Sequence, residues 1–164
     1  MLENLRALSR YNSWANGRIY QACGSLPHED FSAARPSFFG SIMATLNHGL
    51  VADMLWMGRF TGQAPAGITA LDQILHREFA PLAAARHDMN TAIEDFFARP
   101  LTGLNEPFHY HTMTGGATVT PLGLTFLHLF NHATHHRGQV HDMLSATAVA
   151  PPVLDLIYFL RETN

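Results

Sequence analysis

Apolar residues recur at helical spacing over residues 2–24, where Leu2, Leu5, Leu8, Trp14, Ile19 and Cys23 line one side, and Leu26-Pro27 ends the run. A second helix is predicted from about Phe39 to Phe60. Its apolar residues fall on two arcs: Phe39, Ile42, Met43, Leu46, Leu50 and Met57 share one face, while Ala44, Val51 and Leu55 lie nearly opposite. A helix apolar on two sides is buried on both. Residues 61–67 read as a loop, and a third helix is predicted from near Asp72 to Arg99, with Pro81 as a possible kink and Pro100 as its stop. The pattern then changes period. PFHYHTMTGGATVT (107–120) alternates around Gly115-Gly116, which predicts a short hairpin with a two-residue turn. Thr120-Pro121 reads as an N-cap followed by proline at the first helical position, opening a long helix to about Ala146. Pro151-Pro152 closes the connection to a short helix over 152–161. The expectation is one all-α domain over 1–164: a four-helix bundle with a hairpin before the fourth helix and a short C-terminal helix.

Composition narrows the function. Charged residues are only 14% of the 164, and apolar residues 47%. So little charge on the outside, together with the two-sided second helix, predicts a homodimer. All ten basic residues are arginine, which excludes lysine Schiff-base chemistry and a P-loop lysine. The net charge of −3 and the absence of a basic stripe set nucleic acid aside as a partner. No apolar run reaches the ~18 residues needed to span a membrane, and residues 38–60 are interrupted by His48 and Asp53. MLENLRALSRYN carries arginines and an acid where a secretory leader needs an apolar stretch, and Cys23 is the single cysteine. Both features predict a cytoplasmic protein without disulfides.

Eleven histidines remain as the distinctive chemistry. In the fourth helix Leu122, Phe126, Leu129, Ala133, Val140 and Met143 form the inward stripe. His136 lies within that stripe and His132 at its edge, whereas His128 and His135 fall outside it. An i, i+4 histidine pair places two imidazoles about 5–6 Å apart at Cβ, a spacing that lets one divalent ion reach both. Core histidines satisfied by hydrogen bonds are the plainer explanation of a bare HxxxH. A third ligand would complete the set. His48, on the second apolar face of helix two, is the natural candidate, because an isolated imidazole there loses hydration without an obvious partner. His28, His76, His87, His109 and His111 fall in loops, polar faces or the hairpin and are read as having no role.

Three segments carry a resemblance: NHATHHRGQVHDMLSATAVAPPVLDLIYFLR (131–161), SIMATLNHGLVADMLWMGR (41–59) and YNSWANGRIY (11–20). The sequence resembles the DinB/YfiT-like family of bacterial metal-binding four-helix bundles. The most specific elements are NHxTHHRGQ, here Asn131 to Gln139, and H-x4-D-x2-W, here His48, Asp53 and Trp56. The resemblance implies up-down-down-up topology and a three-histidine metal site. Carried over position by position, its ligands are His48, His132 and His136, the residues that helical phase singles out. Known members of the family include thiol-dependent S-transferases, a thiol-dependent isomerase and presumed metal-dependent hydrolases.

Three neutral imidazoles leave the ion's 2+ charge undiminished, which favours deprotonation of a bound water or thiol. The expected function is activation of a low-molecular-weight thiol or water for attack on a small electrophilic molecule. The alternative is a non-catalytic metal-binding stress-response bundle. Zinc or nickel is the first expectation for the metal, with iron or copper also compatible with imidazole ligands. Gln139, Asn131 and Asp53 are candidates for orienting ligand imidazoles or contacting substrate, with capping or surface exposure as the plainer alternative. Arg137 is a candidate for holding an anionic group, with a buried ion pair as its alternative.

Overall fold

The computed structural model describes residues 1–163. Four long helices, α1 (Leu2–Cys23), α3 (Ile42–Thr61), α4 (Phe79–Ala98) and α5 (Leu122–Ser145), form the up-down-down-up bundle. They pack in the ring order α1, α4, α3, α5. A short α2 (His28–Ser32), absent from the sequence-based expectation, follows α1 and buries Phe31. The closing helix α6 runs over Leu156–Thr163, later than the pattern indicates, and seats Phe159 against Tyr11.

The differences from expectation have local causes. α3 starts at Ile42 because Gly40, at φ 76°, breaks the preceding turn in a conformation that side chains with a Cβ disfavour. The Ser41 hydroxyl then caps α3 by accepting from the Ala44 N–H at 3.1 Å. Phe39 is therefore not helical and is free to turn toward the bundle interior.

α4 starts at Phe79, not near Asp72. The side-chain oxygen of the fully buried Asn47 accepts from the Leu75 and His76 N–H groups, each at 2.9 Å, and its amide donates to the Met43 and His76 carbonyls. A side chain supplies the hydrogen bonds that a helical turn would have made, so residues 71–78 stay irregular. Pro81 then sits in the first turn of α4, where its missing N–H removes no helical bond, and no kink follows.

The hairpin pairs β1 (Pro107–His111) with β2 (Ala117–Pro121) in antiparallel register, Pro107 opposite Pro121. Its turn is five residues, 112–116, not two. Gly115 alone has positive φ, at 85°, and the Thr112 side chain accepts from the Gly116 N–H. Thr120 is a strand residue opposite Phe108 and does not cap α5. The first free N–H groups of α5 are satisfied by backbone instead: Leu122 donates to the Glu106 carbonyl at 3.0 Å and Gly123 to that of Leu104 at 2.7 Å.

The interior includes an apolar cluster to which the four long helices contribute Ile19, Leu46, Leu50, Leu82 and Val140. One end is aromatic, with Phe96, Phe97, Phe126 and Phe130 buried around Leu5 and Ile93. The middle is polar: Asp53 pairs with Arg86 at 2.7 Å, Arg137 donates to Asn12 and Asn16, and Asn16 donates to Asn90. Among the described residues no helix is long and apolar enough to cross a membrane.

Candidate metal centre

α3 contributes His48 and α5 contributes His132 and His136. Their Nε2 atoms form a triangle with edges of 3.3 Å (His48 to His132), 3.1 Å (His48 to His136) and 3.0 Å (His132 to His136). His48 is 6% exposed, and the two α5 imidazoles are half-buried.

The outer nitrogens decide what the inner ones can do. His48 Nδ1 lies 2.8 Å from the Leu71 carbonyl, a group that only accepts, so Nδ1 carries the proton and Nε2 presents a lone pair. His136 Nδ1 lies 2.8 Å from Gln139 Oε1, with the same consequence. The Nε2 atoms of His48 and His136 therefore face each other as two lone pairs at 3.1 Å, with no proton to share. That contact is repulsive unless a cation lies between them.

A triangle of this size has a centre about 1.8 Å from each corner, so a point at the 2.0–2.1 Å of a zinc–imidazole bond exists just off its plane. The donor set fits a divalent ion. Among the described residues the group contains no fourth histidine, cysteine or carboxylate.

The electrostatics agree with neutral ligands. Burial lowers the pKa of His132 to about 3, with the neighbouring His136 and His48 adding to the effect. Burial likewise lowers His136 to about 4, against the opposing hydrogen bond from Gln139. His48 is lowered by burial and partly restored by its bond to Leu71. All three remain unprotonated and free to coordinate at neutral pH.

Two cavities meet at the triangle. One, of about 540 Å³, is lined by Phe38, Phe39, Leu71, Asp72 and Gln139 together with His48 and His136. Phe39 stacks on His48 with ring centroids 4.0 Å apart and meets His136 edge-on at 5.6 Å. The other, of about 450 Å³, is lined by Trp56, Arg59, Tyr110 and His128 beside His48 and His132.

The remaining sequence candidates occupy different places. Gln139 touches the His136 imidazole directly. Asn131 is exposed on α5. Asp53 is 2% exposed and paired with Arg86; burial pushes its carboxyl up and the guanidinium pulls it back. Arg137 is 5% exposed and spends its donors on the neutral Asn12, Asn16 and Thr134, so it is buried without the ion pair expected as the alternative to anion binding. Cys23 is 1% exposed, and burial pushes its thiol up to about 12, far from a reactive thiolate.

Leu71 and Asn47 were not singled out from the sequence, and Phe39 was read only as an apolar position of the second helix. Leu71 contributes only its carbonyl, which no residue-type pattern encodes. Asn47, next to His48 in chain order, was the available signal: a buried amide beside a ligand is a ready anchor for a loop.

Comparison with known proteins places this geometry in a lineage. The DinB family model matches residues 1–163. The chain belongs to the DinB family. A relative, Protein DinB of Bacillus subtilis (strain 168), is 28% identical over 163 residues, covering 96% of this chain and 95% of that protein. Membership of the DinB family thus spans all four bundle helices and both halves of the three-histidine cluster.

Proposed function

We propose that the protein is a metalloenzyme of the DinB family in which His48, His132 and His136 hold a divalent ion, zinc or nickel. Its reaction is attack by a small thiol or by water on a small electrophilic molecule. The observation that carries this reading is the pair of lone pairs at 3.1 Å, fixed by Leu71 and Gln139, at a point where two cavities meet.

A divalent ion bound by neutral imidazoles acts as a Lewis acid that favours the deprotonated form of a thiol or water. The chain does the rest. Leu71 and Gln139 hold the His48 and His136 imidazoles in one tautomer and orientation, so little reorganisation of these two is needed on coordination. Phe39 packs over His48 and walls one side from bulk water. The mainly apolar lining of the Phe38/Phe39 cavity suits the electrophile.

The non-catalytic alternative requires a closed coordination shell, and a three-histidine group open to two cavities favours the enzyme. The protein is read as cytoplasmic, in keeping with its single buried thiol. It is also read as a dimer. Asn47 anchors the 71–78 loop to α3 within the chain, and the exposed apolar residues Val153, Leu156, Ile157 and Tyr158 offer one surface to a second copy.

The test is to load the chain with zinc or nickel and follow conjugation of low-molecular-weight thiols to electrophiles, and hydrolysis of esters, against a metal-stripped control. Rates should rise with pH through the lowered pKa of the bound nucleophile. Equal rates with and without metal across both reaction types would move the assignment to metal binding alone.

A further inference from the structure

Arg59 is the cation that the metal site leaves unexplained. It is half-buried near the end of α3, has no carboxylate within 4.0 Å among the described residues, and donates no hydrogen bond to the protein. The other half-buried or buried arginines are engaged: Arg6 and Arg18 with Glu3 and Glu162, Arg35 with Asp30, Arg86 with Asp53, and Arg137 with asparagines.

Its position is set by aromatic packing. The guanidinium lies 4.6 Å from the Trp56 ring centre and 5.4 Å from that of Tyr110, the latter brought in by the hairpin. Burial already disfavours its charge. A cation held this way, lining a cavity with its donors unused, is arranged to meet an anion.

The same cavity reaches the metal ligands. Arg59 is eleven positions after His48, which places the two on nearly the same face of α3, about three turns apart. Long helical side chains lean toward the helix N-terminus, here back over Trp56 and toward His48. From Trp56 the contacts continue to His128 at 5.0 Å and from His128 to His132 at 5.7 Å, so a ladder of rings runs along one wall from the guanidinium to a ligand imidazole. No acid lines this cavity, whereas Asp72 lines the one on the other side of the triangle.

We propose that the Trp56–Arg59–Tyr110 cavity binds a small carboxylate-bearing molecule, with its carboxylate on Arg59 and its other end at the three-histidine centre. A carboxylate is the class that fits, because the planar guanidinium matches it in a two-pronged contact and because a single arginine balances one negative charge. A dianionic phosphate would call for further cations, and this cavity has none. In the reaction proposed above, this molecule is the nucleophile-bearing cosubstrate, and the inference deepens that reading by giving the cosubstrate an acid group and a side of entry.

The experiment measures binding, not turnover. A series of ω-mercaptoalkanoates of increasing chain length and their neutral carboxamides are titrated calorimetrically into the zinc-loaded chain. At the best length the carboxylate should bind at least tenfold more tightly than its amide. Arg59→Gln should bring that ratio to within about twofold while leaving the amide's affinity unchanged, and Arg59→Lys, which keeps the charge without the fork, should retain part of it. An amide affinity that holds across the variants shows that the cavity is still folded.

No preference for the carboxylate at any length, or a preference that survives Arg59→Gln, overturns the inference. Inorganic phosphate competing better than acetate overturns the carboxylate assignment. If plain alkanoates bind as tightly as their mercapto counterparts, and Arg59→Gln still abolishes their binding, then the carboxylate site stands and thiol capture by the metal falls.

Discussion

Two regions of the bundle interior use the same helices and opposite chemistry. At one end Phe126 meets Phe60, Phe96 and Phe97 edge-to-face with ring centres 4.8–5.7 Å apart, and Phe97 is fully buried. About two and three turns along α5, His132 and His136 replace the aromatic rings with imidazoles, and His136 holds its lone pair against that of His48 on α3. The aromatic region is stable as it stands, since its rings pack against one another and carry no polar atom that needs a partner. The imidazole region is incomplete in itself: His48 and His136 are fixed by outer partners, and the inner nitrogens have none but one another. The first region contributes stability and the second binding capacity.

That division can be broken by substitution. Phe126→Ala removes a fully buried ring and should cost about 3–5 kcal/mol in denaturant unfolding, while metal content per folded chain stays at the wild-type level. A loss of metal in parallel with stability would show that the two regions are coupled.

His48→Ala, His132→Ala and His136→Ala should each empty the site in elemental analysis. Wild-type protein with free metal a hundredfold above Kd should gain about 2.7 kcal/mol over its chelated form, and these variants should respond little to chelator. Without metal, His136→Ala should be as stable as the wild type or more so, because it removes one of two opposed lone pairs from a half-buried site. A metal-free variant clearly less stable than metal-free wild type would mean that the triangle is held by its own hydrogen bonds.

Gln139→Ala takes away the partner of His136 Nδ1 and should weaken metal affinity about 10–100-fold in a competition assay, with the fold intact. Unchanged affinity would leave Gln139 as a surface contact of His135.

pH separates the regions further. The three imidazoles are lowered from an ordinary value of 6.5, to about 3 for His132 and about 4 for His136, so the unfolded chain binds more protons than the folded one between those values. Metal-free protein should therefore lose stability as pH falls from about 6.5 toward 4, and ligand variants should show a shallower loss. Equal slopes would place the acid sensitivity elsewhere. The smallest effect belongs to His135→Ala: this exposed ring bonds only Gln139 Nε2, and metal content should be nearly that of wild type.

Much of the site was legible because helical phase is a local property. A 3.6-residue repeat places His132 and His136 on or beside the stripe of Phe126, Leu129 and Val140 without knowledge of what faces them. His48 was legible because a histidine among Val51 and Leu55 needs a partner. The start of α4 was misplaced because the competing hydrogen bonds come from Asn47, far back in the chain, and no window around Asp72 contains that information. The two-residue turn failed for a similar reason: a Gly-Gly pair permits positive φ at both positions, but Thr112 captures the Gly116 N–H and leaves only Gly115 there.

The sequence by itself determined the helices, the apolar stripes and which imidazoles point inward, since each follows from spacing along one chain segment. Tertiary structure alone decided that Leu71 offers its carbonyl to His48, that Phe39 covers the ring and that Arg59 shares a cavity with the ligands. These are meetings between segments, set by how helices and loops pack, and a backbone carbonyl or an unpaired guanidinium acquires its meaning only from what it is packed against.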